Sequence, residues 1–293
     1  MFPGDPIRPT RIIVLDAPGV VTFDAIDWLT DQDTALIRID WSGRATVIAG
    51  SAYAAGGEAW RRQVELRADP RRRMVFARGL IRGKLEASLV TLENCIPAST
   101  ARRFALDVIG DKLCVLRTRK ALRASDLHGI EGRAAKVYFD AWAGTPLNWK
   151  ISKRQPIPDG WRVIGQRQSL LTGKKGKNYN ASHPLNAMLN YAYAVLESQV
   201  RLDVLARGYD PRSGFLHMSG REQPSLVLDL MEPLRPVVDA GILSLASKEI
   251  FSRADFVLRS DGVVRLNPQL ARRVAQVAAA CDLRTQVVPS NDN

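Results

Sequence analysis

The stretch DPRRRMVFARGLIRGKLEASLVTLEN, residues 69–94, marks a change in the character of the chain. Its apolar side chains recur with the period of an amphipathic helix, at Met74, Ala77, Ile81, Leu85, Leu89 and Leu92. Comparable patterns follow at about 99–122, 131–142, 184–206, 225–240, 243–257 and 267–281. We therefore predict that most of the chain from residue 69 onward is helical.

The residues before this stretch have the pattern of short β-strands. RIIVLD (11–16) is typical of a buried strand, and TALIRIDWSGRATVIAG (34–50) predicts two strands joined by a hairpin at its Ser-Gly pair. Between them, TFDAIDWL (22–29) predicts one or two helical turns with Thr22 as the N-cap.

Together these patterns predict an α+β fold. We expect a small N-terminal β-sheet domain over residues 1–68 and a larger all-α domain over residues 69–293. A chain of 293 residues is long enough for one large domain or two of moderate size. The edges of short hydrophobic strands need a cover or a partner, so we expect the N-terminal domain to contribute to dimerisation.

The chain is strongly basic, with a formal net charge of +12 and an isoelectric point near 10. Arg provides 32 of the 42 basic residues, and its guanidinium fork matches the geometry of phosphate oxygens. This balance favours a polyanionic partner, with nucleic acid first and an anionic membrane surface second. A generally basic protein with no such partner is the alternative.

Cysteine usage and the N-terminal residues predict a cytoplasmic protein. Cys95, Cys114 and Cys281 are odd in number and far apart, which disfavours a disulfide framework and a zinc site. The first residues, MFPGDPIRPTRIIVLDAPG, contain Pro and charge where a signal peptide needs an apolar run. No run of about 18 apolar residues occurs, so we expect no membrane span.

Two stretches concentrate the basic side chains. On the helix predicted for 69–94, Arg71, Arg78 and Arg82 fall close to one line, which predicts a DNA-binding face. A solvated helix face explains the same three residues.

The second stretch, residues 145–182, has eight basic residues against one acid, Asp159. Pro, Gly and Asn interrupt any helix here, so we predict a long loop. Trp149, Trp161 and Tyr179 lie among the basic residues, and this combination suits nucleic acid, although a solubilising loop is the other interpretation. The candidates for DNA binding in this loop are Lys150, Lys153, Arg154, Arg162, Arg167, Lys174, Lys175 and Lys177.

Acidic side chains interrupt the apolar segment SLVLDLMEPLRP, residues 225–236. On a helix, Asp229 and Glu232 lie about 60° apart on one face, while apolar side chains cover most of the rest. Pro233 lacks an N–H and crowds the carbonyl of Asp229, so we expect a kink there. His217 precedes the segment by a short polar loop and is close enough in sequence to reach the same point.

Each of these groups has an ordinary structural explanation. His217 taken alone is typical of a hydrogen-bonded loop histidine. Glu232 could form an ion pair with Arg235, and Asp229 could form one with an Arg from elsewhere in the chain. A joint explanation is a divalent-cation site for Mg²⁺ or Mn²⁺, in which carboxylates give hard oxygen ligands and imidazole gives one nitrogen. A third carboxylate is available from Glu131, at the predicted start of a helix. Acids clustered in this way should raise one another's pKa in the metal-free protein.

Four segments, taken in order, resemble one known family. They are HGIEGRAAKVYF (128–139), HPLNAMLNYAYAVLESQVR (183–201), GYDPRSGFLH (208–217) and SLVLDLMEPLRP (225–236). Their order and spacing are similar to those of the CRISPR-associated integrase, the universal catalytic subunit of spacer acquisition. The resemblance extends over roughly residues 10–280.

This resemblance implies that Glu131, His217 and Glu232 bind the catalytic metal, with Asp229 adjacent to complete or orient the ligands. It implies an enzyme that joins the 3′-hydroxyl ends of short captured double-stranded DNA to the CRISPR repeat by transesterification, with associated endonuclease activity. It also implies homodimers bridged by a small ferredoxin-fold adaptation protein. Two alternatives stay open: a stand-alone nuclease or mobile-element integrase, and a non-catalytic DNA-binding scaffold whose acids pair with Arg.

Overall fold

The computed structural model describes the following residues of the chain: 9, 11–15, 18–32, 34–40, 45–48, 57–119, 121–154, 156–165, 167, 180–217 and 224–280. Within these ranges, no helix is both long and apolar enough to cross a lipid bilayer.

A three-stranded sheet forms the N-terminal part. It contains β1 (Arg11–Leu15), β2 (Ala35–Ile39) and β3 (Ala45–Ile48), and α1 (Phe23–Asp31) connects the first two strands. The central strand β2 pairs parallel with β1 and antiparallel with β3. The Thr22 hydroxyl accepts a hydrogen bond of 3.2 Å from the backbone N–H of Ala25. The predicted strands, the short helix and its cap are therefore confirmed, although β1 is only half-buried. The Ser42-Gly43 pair predicted for the hairpin lies outside the described residues.

Helices make up most of the remaining chain. They are α2 (Glu58–Ala68), α3 (Pro70–Cys95), α4 (Thr100–Thr118), α5 (Ala124–Asp140), α6 (Pro184–Ala206), α7 (Ser225–Met231), α8 (Arg235–Lys248) and α9 (Pro268–Ala279). The long α3 begins where the sequence predicts, because Asp69 accepts hydrogen bonds from the N–H groups of Arg71 and Arg72 and Pro70 occupies the first turn.

The predicted helix over 225–240 is broken into α7 and α8. Glu232, Pro233 and Leu234 form a turn between the two helices. Pro233 has no N–H to continue the α7 ladder, and Pro236 suits the first turn of a new helix. The kink expected at Pro233 is thus a complete break, and Glu232 lies at it.

The helix predicted over 243–257 is wrong beyond Lys248, where α8 ends. The chain continues into a hairpin of β4 (Phe256–Leu258) and β5 (Val264–Leu266), so the C-terminal region is not entirely helical. The carboxylate of Asp255 accepts a hydrogen bond of 2.7 Å from the N–H of Ser252, which favours a turn over helix continuation.

The described strands of the N-terminal sheet share a core with the helices. They pack against α6 and α9, and the fully buried Ile37 and Ile39 of β2 belong to the same apolar cluster as the helices. The boundary predicted at residue 68 falls between α2 and α3.

Candidate active site

Two glutamates from separate parts of the chain share one lysine. The ammonium Nζ of Lys84, on α3, contacts Oε1 of Glu131 on α5 and lies 2.5 Å from Oε2 of Glu232, which follows α7. The side chains of Lys84 and Glu232 are only 13% and 10% exposed, so solvent screens these charges weakly. Residues distant in sequence therefore gather two carboxylates around a single cation.

The other oxygen of Glu232 also has a cationic partner. Its Oε1 accepts a hydrogen bond of 3.1 Å from Nε of Arg235, and the Arg235 guanidinium lies 4.8 Å from the ring centroid of Tyr193. The Glu232–Arg235 pair that the sequence allowed is thus present. Both carboxylate oxygens of Glu232 are fixed in direction by these two cations.

The pKa of Glu232 reflects this arrangement. Burial alone would raise it, but Arg235 and Lys84 together outweigh burial and hold the pKa of Glu232 below its usual value. Burial alone would lower the pKa of Lys84, but Glu232 and Glu131 raise it. The expectation that the acids raise one another's pKa is therefore wrong for Glu232, because Lys84 and Arg235 neutralise the site.

Asp229 fixes the turn that carries the histidine. Its buried carboxylate accepts hydrogen bonds from the N–H groups of Phe215 (2.6 Å) and Leu216 (2.8 Å) on Oδ2. Its Oδ1 accepts from the N–H of His217 (3.0 Å) and from the His217 ring at Nδ1 (2.7 Å). Both oxygens are committed to protein donors. Of the two roles considered for Asp229, ligand or orienting group, this geometry favours orientation.

The hydrogen bond between His217 and Asp229 also determines which ring nitrogen of His217 is available to a ligand. Because Nδ1–H of His217 donates to Asp229, Nε2 is the ring nitrogen left to bind a ligand. The hydrogen bond to Asp229 raises the pKa of His217, and the charges of Glu232 and Glu131 add to this against the effect of burial. His217 thus lies within the electrostatic reach of both glutamates.

Gly214 allows the turn to approach α7. A Cβ atom at this position would lie 2.7 Å from Cβ of Ser225 and 2.9 Å from Oδ2 of Asp229. These distances are shorter than van der Waals contact, so the G-F-L-H segment needs glycine at its first position for the turn to pack on Asp229.

The types of donor atom near this site suit a divalent cation. Glu131 and Glu232 already direct oxygens at one cation. Carboxylate oxygens together with an imidazole nitrogen, such as Nε2 of His217, are donor types that Mg²⁺ and Mn²⁺ accept. In the described ranges, no three His, Cys, Asp or Glu side chains lie close enough to hold a metal together. The ammonium of Lys84 lies between the two glutamates instead.

Sequence analysis missed Lys84 and misplaced Glu131. The helix that carries Glu131 begins at Ala124, so Glu131 lies within α5 and not at its start. A signal for Lys84 does exist in the sequence: on α3 it lies one turn from Ile81 and Ser88, which are both buried. A lysine beside the apolar face of a helix indicates a partner in the interior.

His128 is a further residue near the site. Its ring centroid lies 6.3 Å from that of His217 in an edge-to-face arrangement, and its Nδ1 is 2.8 Å from the carbonyl of Ala124. It precedes Glu131 by one helical turn, within the segment HGIEGRAAKVYF.

The three Arg residues predicted to line α3 differ in their surroundings. Arg71 is exposed, and Arg82 is 56% exposed beside Glu86. The guanidinium Nε of Arg78 instead donates to the backbone carbonyl of Leu116. Arg78 therefore ties α3 to α4 and is not simply part of a solvated face.

The basic residues of 145–182 also differ. Arg167 donates a hydrogen bond of 3.1 Å to Oδ1 of Asn190 and lies over the ring of Tyr193, so it belongs to the interior near the site. The side chains that are exposed are Lys150, Lys153, Arg154 and Arg162. Lys174, Lys175 and Lys177 lie outside the described residues, as does Tyr179.

The tryptophans of this segment pack in the interior. Trp161 is buried, and its ring stacks on that of Trp149 at 6.0 Å between centroids. Phe251 and Phe256 contact the same pair. The interpretation that the aromatic side chains of this segment stack on nucleic-acid bases is therefore wrong for Trp161, which is buried against Trp149 and Phe256 of the hairpin.

The family model for CRISPR associated protein Cas1 matches residues 6–278. The chain belongs to the Cas1 family. The curated Cas1 relatives include the CRISPR-associated endonuclease Cas1 1 of Thermus thermophilus, 32% identical over 206 residues, which are 69% of this chain and 55% of the relative. The CRISPR-associated endonuclease Cas1 1 of Archaeoglobus fulgidus is 27% identical over 262 residues, 82% of this chain and 70% of the relative. The chain spans about half the length of the first curated Cas1 relatives it matches, at 55%, 44% and 42%.

Solved structures confirm the α+β fold expected of a Cas1 protein. A casposase bound to integration product has a TM-score of 0.68 and 25% identity, covering 92% of this chain and 69% of that one. A Cas1 protein from Thermotoga maritima has a TM-score of 0.66 and 19% identity, covering 94% and 81%.

Proposed function

We propose that this Cas1-family chain is a metal-dependent DNA integrase of CRISPR adaptation. It joins the 3′-hydroxyl ends of short captured DNA to the repeat array by transesterification, and it has an associated endonuclease activity. The observation that carries this proposal is the meeting of Glu131 and Glu232 at the ammonium of Lys84, with the Asp229-oriented His217 within their electrostatic influence. The likeness to a casposase bound to integration product supports the same class of reaction.

The residues divide into those that hold a metal and those that position them. Glu131, Glu232 and Nε2 of His217 would hold Mg²⁺ or Mn²⁺. When bound, the ion supplies Lewis-acid polarisation of a phosphate and offsets charge in the transition state. Asp229 holds His217 in the required tautomer, and Arg235 restrains Glu232.

DNA binding is proposed to depend on the backbone phosphates. An enzyme that accepts inserts of many sequences needs contacts that do not read bases, and Arg and Lys provide them. The net charge of +12 supports this mode of binding. Among the candidates that the structure describes, the exposed ones are Arg71, Arg82, Lys150, Lys153, Arg154 and Arg162.

A homodimer bridged by a small ferredoxin-fold protein is the proposed assembly. One solved structure with the same fold is a Cas6-RT-Cas1–Cas2 complex, with a TM-score of 0.65 and 18% identity, covering 92% of this chain and 28% of that one. The likeness supports the fold, and the assembly of this chain is a proposal.

The chemical nature of the nucleophile tests the proposal. The protein is incubated with Mn²⁺, a repeat-bearing supercoiled plasmid and a labelled duplex that ends in either a 3′-hydroxyl or a 3′-deoxy nucleotide. Covalent joining of the first duplex alone is expected. Plasmid cleavage without joining would indicate a hydrolytic nuclease, and DNA binding without either reaction would indicate a scaffold.

A further inference from the structure

Lys84 has an unusual position for a lysine. It projects from α3 between Glu131 and Glu232, and its side chain is largely shielded from solvent. A buried ammonium is costly unless carboxylates compensate it. Here two carboxylates do so, one from α5 and one from the break after α7.

The charges of the two glutamates are balanced without a metal. Glu131 and Glu232 bring two negative charges, and Lys84 and Arg235 bring two positive charges. The pairing of acids with Arg that the scaffold alternative expects is present for Glu232 and Arg235, and Lys84 adds a second cation that it does not include. A divalent ion is not needed to explain how the two acids tolerate burial.

A divalent ion and this ammonium compete for the same oxygens. Lys84 contacts Oε1 of Glu131 and Oε2 of Glu232, and an ion shared by the two carboxylates needs the space between them. Two cations so close also repel each other. Lys84 has a long flexible stem that lets its ammonium move away.

We propose that Lys84 is a built-in counter-cation of the site. It holds Glu131 and Glu232 together in the metal-free protein and gives way when a divalent ion binds, so metal affinity is set by exchange of one cation for another. This inference rests on the proposed function, since it requires the two glutamates to be metal ligands. It assigns to Lys84 a positioning role that precedes the reaction.

Metal binding by the full chain tests the exchange. Free Mn²⁺ is measured by electron paramagnetic resonance at one pH for wild type, Lys84→Met and Lys136→Met. Lys136, on α5 like Glu131, is the matched control, because its ammonium lies 2.5 Å from the carboxylate of Asp140 but its side chain is 66% exposed. Because the competing charge is lost, the Kd of Lys84→Met for Mn²⁺ should be lower than that of wild type by at least about tenfold. The Kd of Lys136→Met for Mn²⁺ should match that of wild type.

Thermal unfolding in chelator provides the second readout. Lys84→Met should melt below wild type without metal, because its two carboxylates lose their shared partner, and should gain more from added Mn²⁺. If Lys84→Met fails to fold, Lys84→Gln replaces it, since the amide still donates a hydrogen bond but carries no charge. That variant should also bind Mn²⁺ more tightly than wild type.

The outcomes separate this inference from the proposed function. If wild type binds Mn²⁺, Glu232→Gln abolishes binding and neither Lys84 variant binds more tightly, the exchange is overturned and the metal site stands. If wild type binds no Mn²⁺ at any concentration that leaves the protein folded, both the exchange and the proposed metal dependence are overturned.

Discussion

His217 and Asp229 are joined twice: the backbone N–H of His217 and its ring Nδ1 both donate to Oδ1 of one buried carboxylate, at 3.0 and 2.7 Å. The other oxygen of Asp229, Oδ2, accepts hydrogen bonds from the backbone N–H groups of Phe215 and Leu216. A single side chain therefore determines both the path of the turn and the orientation of the imidazole. Metal sites commonly orient a histidine ligand in this way.

Replacing Asp229 with Asn should damage both stability and metal binding. An amide keeps the shape but offers an NH₂ group to donors that need an acceptor, which should cost about 2–3 kcal/mol of unfolding free energy. Mn²⁺ affinity should fall about 10- to 100-fold as His217 loses its orientation. Urea unfolding and Mn²⁺ titration measure the two effects. Asp140→Asn, at a side chain that is 58% exposed, is the control, and equal behaviour of the two variants would contradict this role.

Gly214→Ala should destabilise the protein by about 1–3 kcal/mol, because the added Cβ would collide with Ser225 and Asp229. DNA joining should fall with it, since the turn carries His217. Gly110→Ala, in α4 where a Cβ meets no atom within 4 Å, should instead be neutral or stabilise by up to about 1 kcal/mol. Thermal unfolding measures the stability of both variants against wild type. A stable and active Gly214→Ala would show that the turn tolerates a side chain.

A buried aspartate near the site should make stability depend on pH. Burial raises the pKa of Asp239 to about 6 from its usual 3.8, although the hydroxyls of Tyr193 (2.5 Å) and Tyr138 (3.0 Å) donate to it. Between these two pH values the folded protein binds the proton more tightly than the unfolded chain. This group therefore lowers the free energy of unfolding as pH rises across that window, by about 3 kcal/mol in total.

Asp239→Asn removes this titration. The free energies of unfolding of wild type and variant are measured in urea at a series of pH values. The difference between them should change with pH between about 4 and 6 and be constant above that window. Parallel curves would mean that Asp239 titrates at its ordinary pKa.

Exposed basic residues should determine the salt dependence of DNA binding. Changing Lys150, Lys153 and Arg154 together to Gln should weaken binding similarly for all sequences and flatten the dependence of log K on log salt by up to about 2–3. Arg78→Gln should leave that slope unchanged and lower stability, because its guanidinium donates to the carbonyl of Leu116. An unchanged slope in the triple variant would show that these side chains do not contact phosphates.

Local sequence features predicted much of the fold. The helix over 184–206 has the predicted bounds, and the start of α3 follows from Asp69 and Pro70. These signals act over a few residues, so they can be read from one sequence. The closeness of His217 and Asp229 could also be predicted, because only a short segment of chain separates them.

Contacts between distant residues could not be predicted in this way. Lys84 and Glu232 are 148 positions apart, and no periodicity links them. Trp149 and Trp161 suggested a nucleic-acid surface because a single sequence does not show that Phe251 and Phe256 cover them. Burial of charge by pairing, as for Glu232 with Lys84 and Arg235, depends on the same long-range packing.

We propose that Glu131, His217 and Glu232 form the metal-dependent centre that joins DNA. The most direct measurement is the fraction of a labelled short duplex joined to a repeat-bearing plasmid, in Mn²⁺ and in chelator, with DNA affinity determined at the same salt. Glu131→Ala, His217→Ala and Glu232→Ala should each lose joining by at least about a hundredfold while still binding DNA, and Glu58→Ala, at an exposed carboxylate, should match wild type. Joining by Glu232→Ala at the wild-type rate, or joining by wild type in chelator, would contradict the account.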